Sequence, residues 1–202
     1  MLESRTSFQI AKKDLKNFFY KFILLACVVS ILVEIRVAIM ELSLEQHIGL
    51  VVEYSGALGI ILFSGIFLEE NNPALRELIN SKNVDLQGIY FVRYILSFVA
   101  LMLILFAWGL VYATKSSLKY VLLYFVNAFS DSFLFGNLTF VLYILKNNAI
   151  ITYMVSFFLF LLYVENLNIP PTYVIVKNCI FILCGILLTC FSFLGVKYKQ
   201  KV

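Results

Sequence analysis

Residues 89–113 read IYFVRYILSFVALMLILFAWGLVYA, and Arg93 is the only formally charged residue among them. A helix needs about 20 apolar residues to cross a hydrocarbon core ~30 Å thick, so this run predicts a transmembrane helix. Further apolar runs lie on either side, without the polar–apolar alternation of a membrane β-strand. The six predicted spans are, to within a few residues, Phe18–Met40, Ile48–Leu68, Ile89–Ala113, Leu118–Leu145, Ala149–Val164 and Tyr173–Val196.

The composition agrees with a lipid environment. The 202 residues are 62% hydrophobic and 14% charged, and the mean hydropathy is +0.93. Soluble domains are nearer ~45–50% apolar and ~25% charged, and one of this size could not bury so much apolar surface. The sequence therefore predicts an all-α membrane protein with a single transmembrane domain over residues 1–202. It excludes a nucleic-acid binder, a disulfide-rich secreted domain and an ordinary cytosolic enzyme.

The cysteines and the single histidine offer no catalytic or metal-binding pattern. Cys27, Cys179, Cys184 and Cys190 lie inside apolar runs without a CxxC pair, and we interpret them as small packing residues. His47 falls in a loop, and no span contains a histidine that could activate a nucleophile or bind a metal. We therefore expect no catalytic residue and no metal site.

The distribution of basic residues predicts the orientation. If the N-terminus is cytoplasmic, 12 of the 16 Lys and Arg residues lie on the inner side, and only Lys115 and Lys119 lie on the outer side. Because cytoplasmic loops are enriched in Lys and Arg, we expect a protein of the cytoplasmic membrane with both termini inside. Tyrosines favour the headgroup level, so we place Tyr94 and Tyr153 near the inner boundary and Tyr163 near the outer one.

The longest predicted aqueous connection, residues 69–88, is cytoplasmic and carries a helix signal. Asn72 is a good N-cap, and Pro73 suits the first helical position. Leu75, Leu78 and Ile79 form a narrow apolar stripe. We predict a short helix on the inner membrane face. This helix either only covers the turn between spans two and three or docks into a cytoplasmic partner.

Residues 1–17 predict a second interfacial element before the first span. Phe8, Ala11 and Leu15 recur at helical spacing, and Lys12 and Lys13 lie on the other face. A basic amphipathic helix of this kind lies in the membrane interface. Anchoring to anionic lipid explains it as well as a specialised role does.

Polar residues within the spans mark the candidate sites, because ionisable groups are costly in lipid and face the bundle interior or a water-filled path. One set lies within about a third of the circumference of span four and either lines a substrate path or forms interhelical hydrogen bonds: Asn127, Ser130, Asp131 and Asn137. A second set lies in the outer portions of spans one, two and six: Glu34, Arg36, Glu53 and Lys177. We expect ion pairs in this set, with Glu34 or Glu53 as the partner of Lys177.

Small residues in span two predict close helix packing. Gly49, Gly56 and Gly59, with Ser55, would let another helix approach closely.

The stretch LEENNPALRELINSKNVDLQGIYFVRY, residues 68–94, is similar to the elbow of type-2 ATP-binding-cassette (ABC) exporter permeases. Acidic residues leave span two, a short helix follows, and a basic-aromatic segment enters span three. The N-terminal amphipathic helix and the six spans with both termini inside extend the resemblance over nearly the whole chain. Larger members often have a re-entrant hairpin between spans five and six, for which residues 165–172 leave little room.

The resemblance implies a set of partners. The elbow would be a coupling helix seated in a separate ATP-binding subunit, and residues 1–17 would be the connecting helix. Two copies of that subunit would hold ATP and Mg, and a second permease copy would complete a homodimer or heterodimer. The coupling contact would comprise Glu70, Pro73, Leu75, Arg76, Leu78 and Ile79.

The expected function is that of a permease subunit of an ATP-driven exporter, working by alternating access. The chain lacks the G-x-x-x-x-G-K-[ST] phosphate loop, so we expect no enzyme activity and no cofactor in this chain. An amphipathic cargo, such as an antimicrobial peptide or a lipid-like molecule, fits the composition. The alternatives are a six-helix secondary transporter or channel, and a membrane immunity or assembly protein that acts by binding.

Overall fold

The computed structural model describes residues 20–39, 44–67, 86–113, 118–165 and 174–199. These residues form six α-helices, which confirms the all-α prediction. They are α1 (Tyr20–Ile39), α2 (Leu44–Ser64), α3 (Leu86–Ala113), α4 (Leu118–Lys146), α5 (Ala149–Glu165) and α6 (Val174–Lys199). Each coincides with one predicted apolar run to within a few residues.

Two predicted interfacial elements fall outside this description. The amphipathic helix of residues 1–17 lies outside the described residues, and so does the elbow up to residue 85. The last three residues that we had assigned to the elbow, 86–88, already belong to α3.

Within the described residues, three helical stretches are long and apolar enough to cross a membrane. They are Gln87–Val111 of α3, Val121–Lys146 of α4 and Val174–Lys197 of α6. Shorter apolar helices cover Tyr20–Val33, Val52–Ser64 and Ala149–Glu165. The protein is therefore a helical membrane protein.

Successive helices alternate in direction. Gly59 of α2 lies against Ser132 of α4, and Phe67, just after α2, stacks on Tyr143, so residue numbers rise together along α2 and α4. By the same reasoning α6 runs parallel to α4, because Lys177 contacts Asp131 and residue 189 contacts residue 137. Helices α3 and α5 run the other way.

Helix α4 lies at the centre of the bundle. It packs against α2, α3, α5 and α6. Its membrane-length stretch is 72% buried, against 33% for α3 and 17% for α6. Among the described helices it also carries the largest number of buried polar side chains, namely Ser130, Asp131, Ser132, Asn137 and Thr139. The polar residues of α4 are tolerated because the other helices cover them.

Helices α2 and α4 approach closely, as the glycines of α2 predict. A Cβ atom on Gly59 would lie 1.9 Å from the carbonyl oxygen of Ser132. The Ser132 hydroxyl lies 2.7 Å from the carbonyl oxygen of Ser55 on α2 and 2.7 Å from that of Ala128 on its own helix, and it donates to one of them at a time. Gly56 faces the ring of Phe160 on α5. The prediction of close packing is confirmed for Ser55, Gly56 and Gly59. The structure does not describe the surroundings of Gly49.

A two-residue connection joins α4 to α5, and its sequence explains the sharp reversal. Asn147 has a φ of 51°, in the left-handed region that asparagine tolerates. Its backbone N–H donates to the carbonyl oxygen of Tyr143 at 2.7 Å. Asn148 caps α5, because its side-chain oxygen accepts from the backbone N–H groups of Ile150 and Ile151 at 3.0 and 3.2 Å.

The outer faces of α3 and α6 are apolar and exposed. On α6, Ile175, Leu183 and Leu187 are each more than 60% exposed. We interpreted the cysteines as small packing residues, but all four are exposed on α1 and α6, so they do not pack within the bundle of this chain. A cysteine side chain is apolar enough for a surface that lipid covers.

Candidate functional site

A largely buried ion pair, formed by Asp131 and Lys177, joins α4 to α6. The Lys177 Nζ atom lies 2.9 Å from Asp131 Oδ1 and 3.2 Å from Oδ2. The side chains are 9% and 1% exposed. Removing two charges from water is costly, and their attraction offsets that cost only when further hydrogen bonds satisfy both groups.

Tyr163 of α5 supplies those further hydrogen bonds. Its hydroxyl donates to Asp131 Oδ2 at 3.0 Å, and its oxygen lies 3.1 Å from Lys177 Nζ and accepts from it. The three side chains, Asp131, Tyr163 and Lys177, form a closed triangle that joins α4, α5 and α6. We call it the ion-pair cluster.

Aromatic rings surround the ammonium group of Lys177. Its Nζ atom lies 5.4 Å from the centre of the Phe181 ring and 5.9 Å from that of Tyr163. Phe181 is one helical turn beyond Lys177 on α6, so the two side chains share a face. Ring faces attract cations most strongly where water is excluded. The ammonium group therefore has a carboxylate, a phenol oxygen and two aromatic rings around it.

A second set of hydrogen bonds joins α4 to α6 beside the cluster. The Asn178 amide nitrogen donates to Asn127 Oδ1 at 2.8 Å. The Ser130 hydroxyl lies 2.8 Å from Asn178 Oδ1, 2.9 Å from the Asn127 carbonyl oxygen and 3.4 Å from Asp131 Oδ1. A hydroxyl has one proton to donate, so Ser130 serves one of these acceptors at a time.

Asn137 belongs to a separate polar layer, further along α4. Its Oδ1 atom accepts from Thr189 of α6 at 2.7 Å and from the Tyr94 hydroxyl of α3 at 3.1 Å. Its amide nitrogen donates to the Phe133 carbonyl oxygen at 2.8 Å. The predicted stripe of span four is thus divided. Asn127, Ser130 and Asp131 lie in one layer, and Asn137 lies in the other.

Two partners were predicted for Lys177, of which Glu53 is wrong and Glu34 has its side chain outside the part of the chain that the structure describes. Lys177 pairs with Asp131 and not with Glu53, because α6 lies along α4 and this register places the α4 carboxylate beside the ammonium. Glu53 is half-buried on α2 and interacts electrostatically with Tyr163. The side chains of Glu34 and Arg36 lie outside the described ones.

Sequence reasoning missed the tyrosines of the two layers. Tyr94 and Tyr163 had been placed at the membrane boundaries, yet their hydroxyls bond to side chains inside the bundle. Asn178 and Thr189 were also missed. The sequence did contain a signal for these two residues, because both are polar in an otherwise apolar span. Their spacing also places them on or close to the helix face that carries Lys177 and Phe181.

A third set of contacts holds the end of α2, immediately before the predicted elbow. Arg93 of α3 donates to the carbonyl oxygen of Ile66 at 2.9 Å, and Ser97 donates to that of Leu62 at 3.0 Å. The Tyr153 hydroxyl of α5 bonds to the Ser64 hydroxyl. The end of α2 is therefore fixed to both α3 and α5. A cation near the C-terminal end of a helix is also favoured by the helix dipole.

The remaining predicted sites divide into two groups. Among the described residues, no group of three or more His, Cys, Asp or Glu side chains could hold a metal ion. The predicted coupling residues Glu70, Pro73, Leu75, Arg76, Leu78 and Ile79 all lie outside the described residues.

Comparison of the chain with protein-family models found no matching family, and comparisons with curated proteins and with solved structures found no significant match either.

Proposed function

We propose that this chain is the membrane-spanning permease subunit of an ATP-driven ABC exporter. In this proposal all six helices cross the cytoplasmic membrane. An amphipathic substrate, peptide or lipid-like, passes between two permease copies, identical or related. Two ATP-binding subunits on the cytoplasmic side hold ATP and Mg and hydrolyse the nucleotide.

The observation that carries the proposal is the gathering of particular segments at one end of the bundle. The described residues that flank the connection 68–85 share that end with the α4–α5 turn, the start of α1 and the end of α6, since Phe22 lies against Gly65 and Gly195 lies against Ile144. The described basic residues at this end are Lys21, Arg93, Lys146, Lys197 and Lys199. Basic residues favour the cytoplasmic side, so the predicted elbow would face the cytoplasm.

The contacts at the end of α2 provide a route for coupling. A force on the elbow would reach the end of α2, and Arg93, Ser97 and Tyr153 would pass the displacement to α3 and α5. Alternating access requires each nucleotide state to favour a different helix packing. In this scheme, ATP-driven closure of the two partner subunits moves the elbows and reorients the helices.

The elbow is tested with the double variant Leu75→Asp/Leu78→Asp. Charging the apolar stripe should remove both co-purification of an ATP-binding subunit and stimulation of its ATPase, while membrane insertion is retained. The matched control, Ser116→Asp/Ser117→Asp, adds the same charge to the connection between α3 and α4 at the opposite end, and should leave both intact. Normal assembly and ATP hydrolysis in the elbow variant would contradict the proposal.

The buried ion pair favours a second candidate, an ion-coupled secondary transporter. Buried acidic and basic groups inside a membrane are typical of ion pathways and proton relays. A secondary transporter should move its substrate when reconstituted alone in liposomes with an ion gradient. The exporter subunit should be inactive under those conditions and active only with its ATP-binding subunit and ATP.

A further inference from the structure

The ammonium group of Lys177 occupies a site that other residues build. Asp131 provides both carboxylate oxygens at 2.9 and 3.2 Å, Tyr163 provides its phenol oxygen at 3.1 Å, and Phe181 provides a ring face. These groups belong to α4, α5 and α6. Each would fit the ammonium of another molecule as well as it fits that of a lysine.

The two charged groups of the ion pair differ in how far their side chains let them move away from the pair. Asp131 is in the middle of α4, on a short side chain that is 1% exposed. Lys177 is the fourth residue of α6, so its Cα lies about 4.5 Å from the start of the helix at ~1.5 Å per residue. Long lysine side chains near helix ends can extend to the headgroup level. The cation can therefore withdraw, whereas the carboxylate cannot.

Withdrawal of Lys177 would leave a negative site that needs another cation. Asp131 would stay buried with Tyr163 and Ser130 as its neighbours. An uncompensated buried carboxylate is strongly unfavourable. Exchange of one cation for another avoids this cost, so an arriving ammonium group would displace Lys177.

We propose that Asp131, Tyr163 and Phe181 form the binding site for a protonated amine of an amphipathic substrate, and that Lys177 occupies this site when substrate is absent. The apolar part of such a molecule would contact the exposed side of α6 next to the site, where Ile180 is 50% exposed. The inference rests on the proposed transport function, because it names the class of substrate.

The first test uses the purified full chain in detergent and the variant Lys177→Met, with decylammonium as the probe. The probe should raise the unfolding midpoint of this variant saturably. A ligand at about ten times its Kd multiplies the folded-to-unfolded ratio about elevenfold, which for this size of chain corresponds to a rise of roughly 3–6 °C. Decanol, which has the same tail without the charge, should give no saturable rise.

Two variants serve as controls. Lys197→Met removes an exposed lysine at the other end of α6, so decylammonium should affect it no more than the unmodified chain. Lys177→Met/Asp131→Asn lacks the carboxylate, so it should lose the effect. An equal rise in the double variant, or no rise in Lys177→Met, would overturn the proposal.

A second measurement uses the unmodified chain, in case Lys177→Met does not fold. Decylguanidinium carries a permanent cation with N–H donors and cannot be acylated. Its binding should expel Lys177 and increase labelling of that residue by a sulfonated N-hydroxysuccinimide ester several-fold, whereas labelling of Lys197 stays constant. Unchanged labelling of Lys177 would overturn the proposal. Both measurements omit ATP and partner subunits, so their failure is distinguishable from failure of the exporter assignment, which rests on the elbow.

Discussion

Lys177 and Asp131 form an ion pair in which the buried carboxylate of Asp131 needs its partner more than the ammonium group of Lys177 does. Asp131 accepts from Lys177 and from Tyr163, and it has no route to water through its own short side chain. Lys177 lies on the first turn of α6 and can withdraw its charge. Loss of the lysine should therefore be more damaging to the fold than loss of the carboxylate.

A double-mutant cycle measures this asymmetry. Removing one partner of a buried pair typically costs about 3–5 kcal/mol, and we expect Lys177→Met to lower the free energy of unfolding by about 3 kcal/mol. Asp131→Asn should cost less, and Lys177→Met/Asp131→Asn should be close to Asp131→Asn alone. The free energies are measured by denaturant unfolding in detergent. A double variant whose loss equals the sum of both single losses would show that the residues are not coupled.

The sequence could identify the residues of this cluster but not their pairing. Asp131 and Lys177 are recognisable because charges are rare in apolar spans. Their partnership depends on the register between α4 and α6, which no local pattern encodes. Depth in the membrane was the available criterion, and it selected Glu34 on α1 or Glu53 on α2. Tyr163 was missed because a tyrosine near a helix end fits the headgroup level equally well.

At the scale of the helix, the contact of α2 with α4 depends on the absence of a side chain at one position. The backbone of Ser132 occupies the space where a Cβ on Gly59 would lie. Small residues allow such approach, and in membranes, packing rather than the hydrophobic effect holds helices together. The α2–α4 contact also brings the Ser132 hydroxyl within hydrogen-bond distance of the Ser55 carbonyl oxygen.

Gly59→Ala tests this contact. The added methyl group meets backbone, which cannot rotate away, so the helices must separate; overpacking of this kind costs about 1–3 kcal/mol or more. Gly109→Ala is the matched control, because its Cβ would have its nearest neighbour at 3.9 Å, at a Val121 methyl group. Alanine is the better helix former, so the control should be neutral or stabilising. Unfolding midpoints that fall equally in both variants would contradict the close approach.

Helix positions could be predicted because lipid leaves few alternatives: every backbone polar group must be satisfied within the segment. The central position of α4 can also be predicted from the sequence, because the mean hydropathy of its membrane-length stretch is 1.4, against 2.5 for α3 and 2.6 for α6. A span that carries more polar residues needs more cover from its neighbours. The exposure of the α6 cysteines could not be predicted, because an apolar residue in a span suits a helix contact and lipid equally.

At the scale of the whole molecule, the alternation of the helices determines which segments share a side. The end that carries Arg93 and Lys146 also carries the α4–α5 turn, the end of α2 and the start of α3. Helix α6 runs parallel to α4, so it also ends there. Under the proposed function, the basic residues at this end place it on the cytoplasmic side.

Reporter fusions test the orientation. Alkaline phosphatase folds only outside the cytoplasm, so a fusion after Ser116 should be active and a fusion after Val202 inactive. A green fluorescent reporter should give the opposite pattern at each position. Phosphatase activity at Val202 would mean that the number of crossings is odd or that the orientation is inverted, and the elbow would then not face an ATPase as proposed.

The exporter assignment is tested most directly by site-specific photo-crosslinking in intact membranes, with the photoreactive residue at position 78. We predict a crosslink from position 78 to an ATP-binding subunit, and none to that subunit from position 116 at the opposite end of the bundle. A crosslink from position 78 to lipid or to this chain alone, while the protein remains active, would contradict the account.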